Sequence, residues 1–157
     1  MHDIFSISKA TVDEAEYLVA VQVKAFQIDV AICGEGPPGY DSVDRQVEII
    51  KSHLYYKITD ENTIIGGFYL SRLDSGKYEL IRLFVDPAYQ RMGIGTMVLN
   101  YIEETFNDLE ILELQASDFR KDNHAFYEKR GFSKVGEVQY AKDSFSYKYQ
   151  KCSIQQI

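Results

Sequence analysis

Hydrophobic and polar residues recur along the chain with two different periods, which predict where helices and strands lie. From Ala15 to Phe26 the apolar residues recur at helical spacing, behind a Thr11 and Glu14 pair that is typical of a capping box. Three glycines and two prolines in CGEGPPGYDS, Cys33–Ser42, cannot continue this helix and predict a loop. A second helix is expected over about 43–51.

From residue 55 onward the pattern changes to extended strands separated by short turns. The segments YYKIT, TIIGGFYLSRL and KYELIRLFV are rich in β-branched and aromatic residues. Asp60–Asn62 and Asp74–Gly76 lie between them, and short turns of this composition are typical of antiparallel hairpins. Together with a short strand at 5–8, these segments predict that the first half of the sheet is antiparallel.

The second half of the chain predicts a parallel pair of strands. A glycine-containing loop and a helix that ends near Phe106 connect KYELIRLFV to the strand EILELQA. Strands that are joined through a helix are usually parallel neighbours. A short helix over about 122–130, ended by Gly131, then precedes a final hairpin, FSKVGEVQY and SFSYKYQKC. The expected fold class is therefore α/β of the α+β type, with a mixed central sheet that contains one parallel βαβ unit.

Composition narrows the class of protein. A length of 157 residues is typical of a single domain, 1–157. The formal net charge of −7 argues against nucleic acid as a partner, because phosphate binding needs a basic surface. No apolar run approaches the roughly 20 residues that span a bilayer, so no membrane partner is expected. Two cysteines without CxxC spacing favour a cytoplasmic location, and three histidines without metal-ligand spacing predict no metal.

The loop QRMGIGT, Gln90–Thr96, carries the strongest chemical signal. It opens a helix, where unpaired N–H groups and the helix dipole favour an anion, and its glycines let a pyrophosphate approach the backbone. A plain turn between strand and helix explains the same spacing. A Walker A loop fails, because Met97 follows Thr96 where Lys and Ser or Thr are needed. A dinucleotide fingerprint has a third glycine where Val98 stands, so a nicotinamide enzyme is a remote alternative.

Two motifs together resemble the GCN5-related N-acetyltransferase (GNAT) superfamily. LFVDPAYQRMGIG is similar to the acetyl-CoA motif of that family, and HAFYEKRGF is similar to a second motif, in which a tyrosine precedes the end of a helix. The motifs lie 31 residues apart, from Thr96 to Tyr127, and a strand joins them. The resemblance covers Glu79–Phe132. It implies an acetyl-CoA-dependent N-acetyltransferase whose two central parallel strands splay apart around the coenzyme.

The resemblance also implies roles for individual residues. The backbone of Phe84 and Val85 would pair with the pantetheine arm, and the Val85 N–H would polarise the thioester carbonyl. Tyr127 would protonate the departing thiolate, although a core aromatic role is the alternative in a chain with 12 tyrosines. The base would be Glu79 or Glu113, directly or through water. Glu79 is favoured, because strand alternation places it on one face with the apolar Ile81, Leu83 and Val85. The pyrophosphate would lie on Gln90, Arg91, Met92, Gly93, Ile94, Gly95 and Thr96.

One position departs from the family pattern. The family often carries an asparagine seven residues before its tyrosine, where it contacts the coenzyme, and here that position is Arg120. Asn123 stands only four residues before Tyr127. Either Asn123 makes this contact from a different turn of the helix, or the contact is absent.

The sequence defines the acceptor site less closely than the coenzyme site. By the resemblance, the first helices and the loop CGEGPPGYDS form the acceptor side, and Glu35, Tyr40 and Asp41 would bind a small-molecule or peptide amine. The acidic residues favour a cationic amine, while a solvated connecting loop explains them equally well. The alternatives are a non-catalytic acyl-CoA-binding sensor with the same fold and an acyltransferase for a longer acyl chain or a hydroxyl acceptor. The sequence leaves a homodimer open.

Overall fold

The computed structural model describes residues 5–152, which contain seven strands and five α-helices. Two short 3-10 turns, Val12–Glu14 and Pro87–Tyr89, precede the first and fourth helices. The strands and helices in chain order are β1 Phe5–Lys9, α1 Ala15–Ala25, α2 Gln27–Cys33, α3 Val43–Ser52, β2 Leu54–Asp60, β3 Thr63–Asp74, β4 Lys77–Val85, α4 Ile94–Thr105, β5 Ile111–Ser117, α5 Lys121–Lys129, β6 Ser133–Ala141 and β7 Ser144–Cys152.

The strands form one mixed sheet in the order β1-β2-β3-β4-β5-β7-β6. The pairs β1–β2, β2–β3, β5–β7 and β6–β7 are antiparallel. β4 and β5 are parallel, with Lys77 opposite Ile111 and Leu80 opposite Leu114. The predicted fold class is therefore confirmed, including the parallel βαβ unit in the middle of the chain. The sequence pattern did not show that β7, rather than β6, pairs with β5.

The described residues form two compact units. The first contains the described residues up to Leu70 together with Arg82–Ile102. The second contains Ser71–Ile81 and the described residues from Glu103 onward. None of the helices in the stretch 5–152 is long and apolar enough to cross a bilayer.

The core of the first unit joins its helices to its strands. Aliphatic side chains from α1 and α3 pack on aromatic side chains from β2, β3 and β4. The rings of Tyr55 and Tyr69 stack with their centroids 4.7 Å apart. Burial of this apolar surface stabilises the helices against the sheet. The core cluster comprises Leu18, Val21, Ile49, Tyr55, Tyr69 and Phe84.

The start of α1 follows the expected capping pattern, whereas its end differs from the expected course. The Thr11 N–H donates to Glu14 Oε1 at 2.9 Å, as the capping box predicts, and a 3-10 turn leads into α1. The helix breaks at Phe26 and resumes as α2, which ends at Gly34 with a φ of 85°. Glycine permits this left-handed residue at a helix C-terminus.

In the second unit, the carboxyl end of β5 pairs with a strand on one side only among the described residues. Gln115, Ala116 and Ser117 pair with β7, while the register with β4 ends at Leu114. This edge of β5 therefore has no β4 partner among the described residues. The helix α5 follows β5, and Gly131 after it has a φ of 93°, as the predicted helix end requires.

Candidate active site

Two glycines in β3 determine how Phe84 and Val85 are placed. A Cβ on Gly66 would lie 2.6 Å from the Phe84 carbonyl oxygen, and a Cβ on Gly67 would lie 2.6 Å from Phe84 Cζ. Only glycine therefore allows β3 to pack this closely against the end of β4. The Phe84 side chain is 2% exposed and belongs to the core, and Val85 is half-buried. Only the backbone of Phe84 is therefore left to contact a ligand.

A hydrogen-bonded turn directs the chain from β4 into the glycine loop. Asp86 accepts from the Ala88 N–H through its side chain at 2.9 Å and from the Tyr89 N–H through its carbonyl oxygen at 2.8 Å. The Gln90 side chain donates from Nε2 to the Val85 carbonyl oxygen at 3.2 Å. The sequence-predicted Gln90 is thus held back against the end of β4.

The glycine loop itself has the backbone geometry of an anion cradle. Arg91 and Gly93 both have left-handed backbones, with φ of 67° and 81°. A Cβ on Gly93 would meet no atom within 4 Å, so open space faces this residue. The Met97 N–H donates to the Gly93 carbonyl oxygen at 3.0 Å, which leaves the N–H groups of Ile94 and Gly95 without an intrahelical acceptor. These residues fit a pyrophosphate group.

The remaining predicted loop residues differ in exposure. Arg91 and Met92 are exposed, and Gly95 and Thr96 are half-buried. The Ile94 side chain is buried, so this residue offers only its backbone to a ligand. The coenzyme contacts assigned to these residues remain predictions.

Two glutamates lie opposite each other on β4 and β5 in the second unit. Glu79 is the register partner of Glu113. Glu113 is 6% exposed and its charge is balanced, because Gln150 Nε2 donates to it at 2.8 Å and Lys77 and Lys148 lie 3.5 and 3.9 Å away. The two carboxylates therefore have different surroundings.

The pKa of Glu79 is raised above its ordinary value. Burial raises its pKa, and the negative charge of Glu113 raises it further, while Lys148 and Lys77 oppose the shift. The sequence placed Glu79 on an apolar strand face with Ile81. In the structure Ile81 is exposed and Glu79 is half-buried, whereas Tyr78 and Leu80 are buried. The face of Glu79 is therefore an accessible face of β4 and not a core face.

Tyr127 lies on α5 in an aromatic cluster of the second unit. Its ring centroid is 5.5 Å from that of Phe132 and 6.3 Å from that of Tyr149. Burial raises the pKa of Tyr127 to about 12, with the charge of Arg120 acting in the opposite direction. The hydroxyl is therefore protonated at neutral pH, as a proton donor must be.

Neighbours that the sequence reading did not single out support this helix. His124 Nε2 lies 2.8 Å from the Ser117 carbonyl oxygen at the end of β5, and its ring stacks on Tyr147 at 4.7 Å. Asn123 is half-buried, and its backbone N–H donates to the Arg120 carbonyl oxygen at 3.0 Å. The coenzyme contact of Asn123 remains a prediction. The "HAF" that opens the second motif was the available signal for His124.

The loop after α2 is attached to the core of the first unit at two adjacent carbonyl groups. Gln46 Nε2 donates to the Gly39 oxygen at 2.9 Å, and the Tyr55 hydroxyl donates to Gln46 Oε1 at 2.6 Å. Arg82 Nη2 donates to the Pro38 oxygen at 3.0 Å. Buried side chains therefore support this loop from below, and the sequence pattern of glycines and prolines gave no sign of them.

The three predicted acceptor residues occupy different positions on that loop. Tyr40 is half-buried and packs edge to face on Phe26, with the ring centroids 6.2 Å apart. Glu35 and Asp41 are both exposed. Among residues 5–152, no three His, Cys, Asp or Glu side chains are grouped so that they could hold a metal ion.

The mixed sheet with one parallel pair, the glycine loop at the start of α4 and the tyrosine on α5 define an acetyltransferase fold. The sequence model of the "Acetyltransferase (GNAT) family" matches residues 26–132. The chain belongs to this family. No curated protein matches the sequence closely.

Solved structures share the fold along nearly the whole chain. The PaiA N-acetyltransferase from Thermoplasma acidophilum, in complex with coenzyme A, is 21% identical, with a TM-score of 0.76 over 94% of this chain and 98% of its own. An acetyltransferase from Thermus thermophilus is 16% identical, with a TM-score of 0.81 over 97% and 99%. A spermidine N-acetyltransferase chimera with a Vibrio cholerae parent is 12% identical, with a TM-score of 0.77 over 96% of each chain.

Proposed function

We propose that this acetyltransferase moves the acetyl group of acetyl-CoA directly to a primary amine while both substrates are bound. The observation that carries the proposal is the Gly93–Gly95 loop at the start of α4, with its open left-handed glycine and its N–H groups that have no intrahelical acceptor. The similar fold of an N-acetyltransferase that was solved with coenzyme A supports the choice of ligand.

In this proposal, the end of β4 and the glycine loop bind the coenzyme. The residues Gln90–Thr96 hold the pyrophosphate through backbone N–H groups. The backbone of Phe84 and Val85 pairs with the pantetheine arm, and the Val85 N–H polarises the thioester carbonyl. The exposed guanidinium of Arg91 adds little affinity, because solvent screens its charge.

Glu79 and Tyr127 move the protons. The amine nitrogen attacks the thioester carbon and loses a proton to Glu79, directly or through water. The C–S bond then breaks, the thiolate sulfur takes the proton of the Tyr127 hydroxyl, and the products are an amide and free coenzyme A. Burial raises the pKa of Glu79 and so favours its acceptance of a proton, whereas Glu113 is held in contacts with Lys77, Lys148 and Gln150.

The experiment is a measurement of free thiol release from acetyl-CoA with a panel of small amines and amino-terminal peptides. Turnover that requires both the amine and acetyl-CoA is the expected result. Acetyl-CoA binding without turnover of any amine would instead establish the acyl-CoA sensor. Release of thiol with alcohols but not with amines would replace the amine acceptor by a hydroxyl acceptor.

A further inference from the structure

A partly buried guanidinium of the first unit has only neutral partners. Arg82 lies on β4, three residues before Val85. It donates from Nη1 to Gln22 Oε1 at 3.2 Å and from Nη2 to the Pro38 carbonyl oxygen at 3.0 Å. The rings of Tyr69 and Phe26 lie 5.5 and 6.0 Å from its central carbon. Within the stretch 5–152, no carboxylate forms an ion pair with Arg82.

This lack of a counter-ion is unusual for a partly buried charge. Removing a cation from water is costly, and proteins normally offset that cost with a carboxylate. Here burial lowers the pKa of Arg82, Tyr69 and Tyr55 oppose this shift, and the second guanidinium, Arg45, adds to it. The same two charges act together on Tyr69, opposing the rise in pKa that burial gives its hydroxyl. Two guanidinium groups, those of Arg82 and Arg45, therefore act on this part of the first unit.

A second polar group beside Arg82 also lacks a partner. Gln22 is 0% exposed, and its side-chain oxygen is occupied by Arg82. Its amide nitrogen, Nε2, has no hydrogen-bond partner among the described residues. A buried amide N–H without an acceptor costs free energy. The Gln22 amide and the Arg82 guanidinium are therefore neighbouring donors, and both have N–H groups that can donate to a further oxygen.

We infer that the amine acceptor carries a carboxylate group and that Arg82 binds this carboxylate, with Gln22 as a second hydrogen-bond donor. The inference rests on the proposed function and adds the chemical class of the acceptor. The planar guanidinium can bind both oxygens of a carboxylate at once. Arg82 Nη2 already donates to the Pro38 carbonyl oxygen, so an oxygen acceptor can lie at this edge of the guanidinium. By strand geometry, Arg82 lies roughly 10 Å along β4 from Val85, within reach of a bifunctional acceptor.

The inference differs from the expectation of a cationic amine in the charge of the group that the protein recognises. That expectation came from Glu35 and Asp41, which are both exposed on the loop surface. The charge that lies beneath the loop, Arg82, has the opposite sign.

The test compares acids with their uncharged amides. Alanine, 4-aminobutanoate and 6-aminohexanoate are each assayed against the corresponding carboxamide at saturating acetyl-CoA. For at least one pair, kcat/KM of the wild type is expected to be at least about tenfold higher for the acid, since the charge-assisted bonds are lost in the amide. Arg82→Met is expected to remove this preference by lowering kcat/KM for the acid alone. Arg72→Met, which removes an exposed arginine of the second unit, is the matched control.

Each other outcome overturns the inference for a different reason. Equal loss for acid and amide in Arg82→Met would make Arg82 only a support for the loop at Pro38. Weaker binding of coenzyme A to that variant would make the anion a phosphate of the coenzyme. Wild-type turnover of amides and acids at the same rate would refute the carboxylate and leave the proposed function intact, whereas no turnover of any amine would refute both. Should Arg82→Met fail to fold, Arg82→Lys keeps the charge without the planar fork, and an unchanged acid preference in it would also count against the inference.

Discussion

Burial raises the pKa of both Glu79 and Tyr127, with opposite chemical consequences. For Tyr127 the shift keeps the hydroxyl protonated, so that it can donate. For Glu79 the shift increases the affinity of the carboxylate for a proton, so that it can accept. A residue that donates and a residue that accepts are the two groups that amine acetylation needs at neutral pH. The difference between Glu79 and Glu113 could not be read from the sequence, because it depends on Lys77, Lys148 and Gln150 around Glu113.

Replacing the Tyr127 hydroxyl tests the proton donor. Tyr127→Phe keeps the ring that packs on Phe132 and removes one oxygen, so the fold should be retained. The kcat and kcat/KM values are expected to fall together, by up to roughly 10²–10⁴-fold, while the Kd of acetyl-CoA stays the same. Tyr17→Phe, at a highly exposed tyrosine, is the control and should keep wild-type kinetics. Wild-type kcat in Tyr127→Phe, with chemistry rate-limiting, would leave Tyr127 as a core aromatic.

The pH profile tests the proton acceptor. Glu79 must be ionised to accept the amine proton, so activity should decline as the pH falls through its raised pKa. Glu113→Gln removes the like charge that contributes to this raised pKa and leaves Lys77 and Lys148 to favour the ionised form of Glu79. The acidic limb of kcat/KM is therefore expected to move to lower pH in Glu113→Gln. An acidic limb that stays at the wild-type pH in this variant, or that persists in Glu79→Gln, would assign the limb to another group.

At the scale of the element, β3 shows how a pair of glycines positions the end of the neighbouring strand β4. Gly66 and Gly67 stand between Ile65 and Phe68 in the apolar part of β3, and glycine is ordinarily unfavourable inside a strand. Their lack of side chains lets the end of β4 approach, with the Phe84 ring in the space over Gly67. The position of the Val85 backbone thus depends on residues of the preceding strand.

Filling this space is expected to destabilise the protein. In Gly67→Ala the new Cβ would lie 2.6 Å from Phe84 Cζ and 3.1 Å from the Tyr56 carbonyl oxygen, so the ring must move. We expect a loss of about 1–3 kcal/mol in the free energy of unfolding, measured by urea denaturation. Gly136→Ala in β6, where a Cβ would meet no atom within 4 Å, is the matched control. Equal stability of the two variants would show that β3 and β4 can separate at little cost.

Most elements were predictable because their signals are local. The turns at Asp60–Asn62 and Asp74–Gly76 delimit β2, β3 and β4, and the apolar spacing of Val98, Leu99 and Ile102 marks the buried face of α4. The insertion of β7 between β5 and β6 was not predictable. It is decided by pairs such as Leu114 with Tyr149, which lie far apart in the sequence. A hairpin pattern fixes only which two strands are adjacent.

The candidate site was predictable in part for the same reason. Candidate coenzyme-binding residues such as Gly93 are predicted by the spacing of a local motif. The partners of Arg82, which come from α1 and from the loop after α2, are brought to β4 only by the fold.

For the whole molecule, coenzyme binding should appear as added stability. Acetyl-CoA that binds only the native state raises the melting temperature, and the gain increases with ligand concentration above Kd. Gly95→Val places a branched side chain in the first turn of α4, where a phosphate would approach, and is expected to abolish the increase. Gly136→Val, remote in sequence from the loop, should retain it. A folded Gly95→Val protein with the wild-type increase in melting temperature would refute the phosphate cradle.

The order β5-β7-β6 also has a consequence for how the chain is made. A ribosome delivers β6 before β7, yet the sheet neighbour of β6 is β7. Until β7 has emerged, β6 has no native edge to join, and β5 exposes the backbone groups that β7 will later occupy. Released chains truncated after residue 142 should therefore present two unpaired strand edges at once, a state in which a β protein is prone to associate with another copy or with a chaperone.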